Sequence, residues 1–393
     1  MSPLRNRAFA LASSTLFFSA FSTGAMALDA AIIGADMKAA MVSQGITFDY
    51  TDVREDGENI IFSGAKASLA DVEGAWEIGE LTLDGVSERE GGGHFIDRIT
   101  LPEVKQEKDG STFELTSAVL ENVSLPANAK SGDFFEDMFY YESINIDRIA
   151  VNGAGTFVAN DIKAVSSPLA PGKVITSEGS IGEFSVELPP AGSDKTLQVV
   201  HALGYETFGG NATFKSSWNP TDGASTLSEG KFTLNDAASI NLVGDFGGLT
   251  VDVLQAMQEL SANAEKSEQN PEAMQLAMLG LMQQMTFDKL TIRLEDNSLM
   301  DKVLDYLAQQ QGTTKEGLIG QAQFLLPAFL GYFQNPQFTQ TVSAEAVKFL
   351  RDPKTLTISA QPNEPLPVAQ LMTLSQTPQI IPTTLNLTIK AND

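Results

Sequence analysis

The chain has 393 residues, of which 50 are acidic and 25 basic, for a formal net charge of −25, and it has no cysteine. So acidic a surface repels nucleic acid and bare anionic lipid, and the lack of cysteine excludes a disulfide framework and a Cys-based zinc site. The length suffices for one large domain or two ordinary ones, so the core needs no covalent staple.

Residues 1–27 read as a secretory signal peptide. Arg5 and Arg7 precede a short apolar run at 8–22, and Ala25-Met26-Ala27 is the small-x-small step before cleavage after Ala27. The run is short and serine-rich for a membrane anchor. The mature chain, 28–393, then carries 23 basic against 50 acidic residues, or −27, and is expected in the periplasm. It is read without a transmembrane span. The most apolar segment, 317–333, is interrupted by Gln321, Gln323 and Pro327.

The next 200 residues speak in strands. One phrase occurs five times: IGELTL from Ile78, IDRITL from Ile96, IDRIAV from Ile146, IGEFSV from Ile181 and FDKLTI from Phe287. Counting the first hydrophobic residue as 0, apolar side chains fall at 0, 3 and 5. Positions 3 and 5 share one face of a strand and 0 has the opposite parity, so a bulge or bend is expected at the polar pair between them. Asp56-Gly57 and Asp109-Gly110 mark tight turns between strand-like runs. The spacing of the phrases is irregular, which argues against a solenoid. The expected fold is α+β, β-dominated: a long curved antiparallel sheet within 28–247, then a helix-bearing C-terminal module, 248–393, with three returning strands. No flexible linker separates them, so the two regions are read as able to share one core.

In the module, 249–269 reads as a helix with Val253, Met257 and Leu260 on one face, and Asn270-Pro271 starts a second. A helix from 299 is expected to be capped by Asn297 or Ser298 and to stop at Gly312. Strands are expected at 286–296, 355–362 and 383–393, with a short helix opened by Pro367 between the last two.

Catalytic signatures are missing. His94 lies in a glycine-rich turn and His201 in a mixed segment, and no G-x-S-x-G stands at a strand-to-helix turn, so both histidines read as structural or exposed. Acidic residues are too many to single out a catalytic pair. The run from Asp52 is faintly like a calcium loop, but Arg54 stands where an oxygen ligand is needed and Ser63 where the bidentate acid belongs. It reads as a hairpin. No phosphate-cradling or dinucleotide motif occurs, and no cofactor is expected.

Two apolar stripes stand out. Met274, Met278, Leu281, Met282 and Met285 form a soft one, and Phe324, Leu325, Phe329, Leu330 and Phe333 a second. Methionine adapts to irregular apolar ligands, and an acyl chain asks for an apolar groove with few polar fixtures. Burial against the sheet explains the same residues.

The strand phrases, with the sequence LTISAQPNEPLPVAQLM inside 354–389, resemble exported AsmA-like and related uncharacterised proteins of the Gram-negative envelope. That resemblance implies a twisted sheet with an apolar groove and a role in lipid or outer-membrane homeostasis. AsmA-like chains usually keep an N-terminal membrane helix, where this one reads as cleaved. The leading expectation is a non-enzymatic periplasmic protein binding a lipid or other apolar ligand between sheet and helices. The alternatives are an interaction protein docking an envelope partner through a sheet edge or helix patch, and a hydrolase with an unrecognised carboxylate site. Nucleic acid is not an expected partner.

Overall fold

A computed structural model describes residues 28–69, 74–262 and 271–393. The signal peptide reading, and the end of the helix expected at 249–269, lie outside the described residues.

The described residues form a 17-stranded antiparallel sheet that pairs almost wholly in sequence order. β1 (Ile46–Asp49) and β2 (Asp52–Asp56) share the outer edge of β3 (Asn59–Leu69), which pairs with β4 (Trp76–Glu88). β5 (His94–Leu101) joins β4 to β7 (Ser111–Leu125), whose far half also pairs with β6 (Val104–Lys108). Then come β8 (Tyr140–Asn152), β9 (Thr156–Ser166), β10 (Ile175–Glu187), β11 (Thr207–Trp218), β12 (Ser225–Leu234), β13 (Ala238–Gly247) and β14 (Thr286–Asp296). β15 (Thr355–Ala360) and the two-residue β16 (Leu366–Pro367) share the edge of β14, and β17 (Thr388–Ala391) ends the sheet on β15. Among the described residues no pairing joins β17 to the first strands, so the sheet is open.

The helices are inserted between strands or precede them. α1 (Ala30–Ser43) leads into β1, and α2 (Lys195–Ala202) lies between β10 and β11. α3 (Val251–Ala262) and α4 (Pro271–Gln284) separate β13 from β14. α5 (Leu299–Gln311), α6 (Lys315–Leu330) and α7 (Pro336–Arg351) separate β14 from β15, and α8 (Val368–Leu374) and α9 (Ile381–Thr384) precede β17. The sequence reading placed no helix within 28–247, yet α1 and α2 stand there, each capped by an aspartate, Asp29 and Asp194. The strand expected over 383–393 is only Thr388–Ala391, because 381–384 turn helically and Asn386 takes φ 44. Ser298 precedes α5 but donates its hydroxyl to the Asp236 carbonyl, and the Asp296 carboxylate accepts from Met300 N at 2.9 Å instead. Gly312 ends α5 at φ 64, as expected.

The recurring phrase is a kinked strand. Asp97, Asp147, Gly182 and Asp288, each following the first hydrophobic residue, drop out of pairing with both neighbouring strands. Gly79 holds the same place in β4 between two register shifts, at φ 86. Opposite the kinks stand left-handed residues: Asn122 (φ 52) facing Asp97, and Ser117 (φ 45) and Asp161 (φ 52) flanking Asp147. The kink brings positions 0, 3 and 5 to one face. In β5, Ile96 and Ile99 are both buried and Leu101 packs on the same cluster, while Asp97 and Arg98 both face solvent. Such interruptions bend strands and increase their twist, so their repetition curves the sheet.

The main core lies under α1. Ile33, Met37 and Ala40 close over Phe48, Ile60, Phe62, Leu83, Ile96, Val123 and Leu125. α5 and α6 share a smaller cluster around Leu304, Ala308 and Leu318, and α7 packs on β17. Among the described residues no helix is long and apolar enough to cross a membrane.

Candidate functional site

Alternation and register together put one unbroken apolar row across the sheet. Leu101, Ala118, Ile146, Ile162 and Ile181 are successive partners from β5 to β10. Ala212, Phe232, Ile240, Leu294, Leu356 and Ala391 carry the row on to β17. The next residue along each strand belongs to the other face, and there the row is polar: Asn145, Lys163, Ser180, Thr213, Lys231, Asn241, Arg293, Thr357 and Lys390. From β8 to β17 the sheet is therefore amphipathic along this row.

α1 covers only the first strands of the apolar face. There Ile96 and Val123 are 0 % exposed, whereas further along Phe232 is 43 % and Ile240 39 % exposed. Val151, Phe157, Phe214 and Phe246 on the same face are likewise open. Phe232 stacks on Phe184, centroids 5.3 Å apart and planes 13° apart. Phe246 meets Phe287 edge-on at 6.0 Å. Glycines make room for these rings. A Cβ on Gly210 would sit 2.8 Å from the Phe184 ring, and one on Gly179 2.4 Å from that of Phe214.

The β7–β8 loop, 126–139, reaches over one end of the strands. Phe134 is buried against Trp218 of β11 at 6.2 Å, and Trp218 Nε1 donates to the Leu249 carbonyl at 2.7 Å just before α3. Asp137 pins this loop by accepting from Ser131 N (2.8 Å), Gly132 N (3.0 Å) and Ser131 Oγ (3.1 Å). Burial alone would raise its carboxyl pKa, but these hydrogen bonds outweigh it and hold it below the ordinary aspartate value.

His94, read from the sequence as structural or exposed, is buried beneath α1. Its Nδ1 lies 3.3 Å from Asp36 Oδ2, an ion-pair distance without hydrogen-bond alignment. Asp36 Oδ1 accepts from Asn128 N at 2.7 Å, so the pair ties helix, strand and loop. His201 Nε2 meets the Pro189 carbonyl at 3.0 Å. Neither histidine stands beside a serine hydroxyl in the hydrogen bonds it makes. Among the described residues no three His, Asp or Glu side chains converge on a metal position.

The two apolar stripes of the sequence divide between inside and outside. In α4 and the residue after it, Leu281 is buried, Met274, Met282 and Met285 are half-buried, and Met278 is exposed. In α6 and its following turn, Phe324, Leu325 and Phe329 are exposed, and Leu330 and Phe333 half-buried. The main neighbours of α4 are α3, α8 and β16, and those of α6 are α5 and α7, so the stripes are not packed on each other. The open aromatics of β9 and β11–β13 escaped the sequence reading. Their signal was the alternation of Phe with Gly on facing strands.

A family model described only as an uncharacterised protein matches residues 231–392, which run from the middle of β12 to β17. No curated protein matches the chain.

Proposed function

We propose that the chain is an exported, non-enzymatic protein of the cell envelope that holds the acyl chains of a lipid against the open part of its sheet. The observation that carries the reading is the apolar row from Ile146 to Leu356, left uncovered where α1 stops and backed by a polar row on the other face. Water against so many half-exposed Phe, Ile and Val side chains is unfavourable at about 25 cal/mol per Å², and a hydrocarbon chain relieves it without asking for a polar partner. Eight strands, β8 to β15, spaced about 4.8 Å apart give the row a width of roughly 34 Å, room for extended chains. The AsmA-like resemblance of the strand phrases and of 354–389 points to the same class of ligand, and the signal-like residues 1–27 to the periplasm. The groove of this proposal is the sheet face itself, with the α4 and α6 stripes outside it.

The test is to recover the protein without detergent, extract it with organic solvent and weigh the extract by mass spectrometry. A stoichiometric lipid is expected. In parallel a fluorescent fatty acid is titrated into wild type and into the Phe232→Asp, Ile240→Asp double variant. Both side chains are partly exposed, so the variant is expected to fold, with affinity lowered about tenfold or more. A folded wild type that carries no lipid and binds no probe overturns the reading.

A further inference from the structure

We infer that α4, α8 and the end of α6 form a face that docks on the interface of a bilayer of uncharged, zwitterionic lipids. The sequence shows it first. Residues 273–287, 317–344 and 365–389 contain no Asp, Glu, Lys, Arg or His. At the chain average of 19 % charged residues these 68 positions would hold about thirteen charges. The fold then brings the three runs together: α4 packs on α8, and the turn 378–380 packs on the turn 331–333 that ends α6. On these elements large side chains stand in solvent: Phe324 is 82 % exposed, Phe329 75 %, Leu276 70 %, Tyr332 64 % and Met372 58 %.

The chemistry commits to a membrane rather than to a protein. A protein interface surrounds its apolar centre with a polar and charged rim that fixes register. Here the runs themselves offer a partner no charge to read. Phe, Tyr, Met and Leu on short helices suit the boundary between headgroups and acyl chains, where burial alone drives binding. No described helix is long enough to span, so the contact is interfacial. The rest of the chain carries the whole net charge of −25, which opposes an anionic surface and selects an uncharged one. The inference does not depend on what the sheet binds.

The experiment floats the full-length protein with phosphatidylcholine vesicles. Co-flotation is expected, weakening as phosphatidylglycerol replaces phosphatidylcholine and recovering with salt. The Phe324→Glu, Phe329→Glu double variant is expected to keep its melting temperature and lose flotation about tenfold or more. It is also expected to bind the fluorescent fatty acid, without vesicles, as wild type does, so failure here and failure of the acyl-chain reading are told apart. Wild type that stays in solution with phosphatidylcholine, floats only with anionic vesicles, or floats equally as the double variant overturns the inference. So does a dimer abolished by the double variant in the absence of flotation, which would make a second copy the occupant.

Discussion

Asp36 is 3 % exposed, and its two oxygens are divided between Asn128 N and the buried His94. Truncating one member of such a set strands the others away from water, which costs more than the set contributes net. Asp36→Ala is expected to lower unfolding free energy by about 3 kcal/mol, read by urea denaturation. A change under about 1 kcal/mol would show that the pair is incidental. Gly210 makes a second residue-scale argument. A Cβ there would sit 1.8 Å from the Thr233 carbonyl oxygen, and the backbone cannot yield cheaply. Gly210→Ala is expected to cost about 2 kcal/mol or more, whereas Gly280→Ala, with open space in the interior of α4, is expected to gain about 1 kcal/mol. Asp137 sets a pH effect. Its carboxyl is held low in the fold, so its contribution is fully present above the unfolded aspartate value and is lost as pH falls through the lower folded one. Trp218 emission, recorded in a Trp76→Phe background, is expected to change in that acidic window as the loop lifts Phe134 away. Asp137→Asn is expected to show the altered emission already at neutral pH.

At the scale of elements, the kinked strand was legible because its arithmetic is local. Apolar residues at 0, 3 and 5 fit neither a flat strand nor a helix, and only a break between 0 and 3 reconciles them. The left-handed residues opposite were not legible, since Ser117, Asn122 and Asp161 look like ordinary solvent-side polar residues. Asp161 offers the cleanest test. It has φ 52 and an exposed side chain, with a distant contact to Lys163 at 3.8 Å that contributes little. Asp161→Val is expected to lose about 1–2 kcal/mol, because a β-branched residue resists that backbone, while Asp161→Gly is expected to be neutral or stabilising. Equal effects of the two would mean that the kink is not held by backbone conformation. α1 was illegible for a different reason. Its sequence is apolar nearly all round, and its acidic residue, Asp36, points inward to His94, so no polar stripe announces a surface helix. The last strand was read too long because Thr, Leu and Asn at 383–387 have strand-like composition, while Pro382 and the turn around Asn386 are what the backbone obeys.

At the scale of the whole molecule, stability is expected to be graded along the sheet. Of the eight largest fully buried side chains among the described residues, seven belong to α1, β3, β4, β5 and β7, and Val253 lies in α3. Beyond β8 the same apolar face carries rings that are still half in water. Alternation shows that a face is apolar but not whether anything covers it, which is why the uncovered stretch of the sheet was not legible in the sequence. The gradient has a measurable form in hydrogen exchange. Amides of β3–β7 are expected to exchange slowest, and those of β10–β13 to open at lower free energy, since few buried side chains hold them beyond their ladder bonds. A ligand bound only by the native sheet stabilises in proportion to RT ln(1 + [L]/Kd), so at a hundredfold excess over Kd it adds about 2.7 kcal/mol. Saturation with a fatty acid is therefore expected to slow exchange in β9–β13 and leave β3–β5 unchanged. Protection confined to α4 and α6 would move the ligand to the helix stripes, and uniform protection would mean that the chain unfolds as one unit, with no separate opening of the uncovered half.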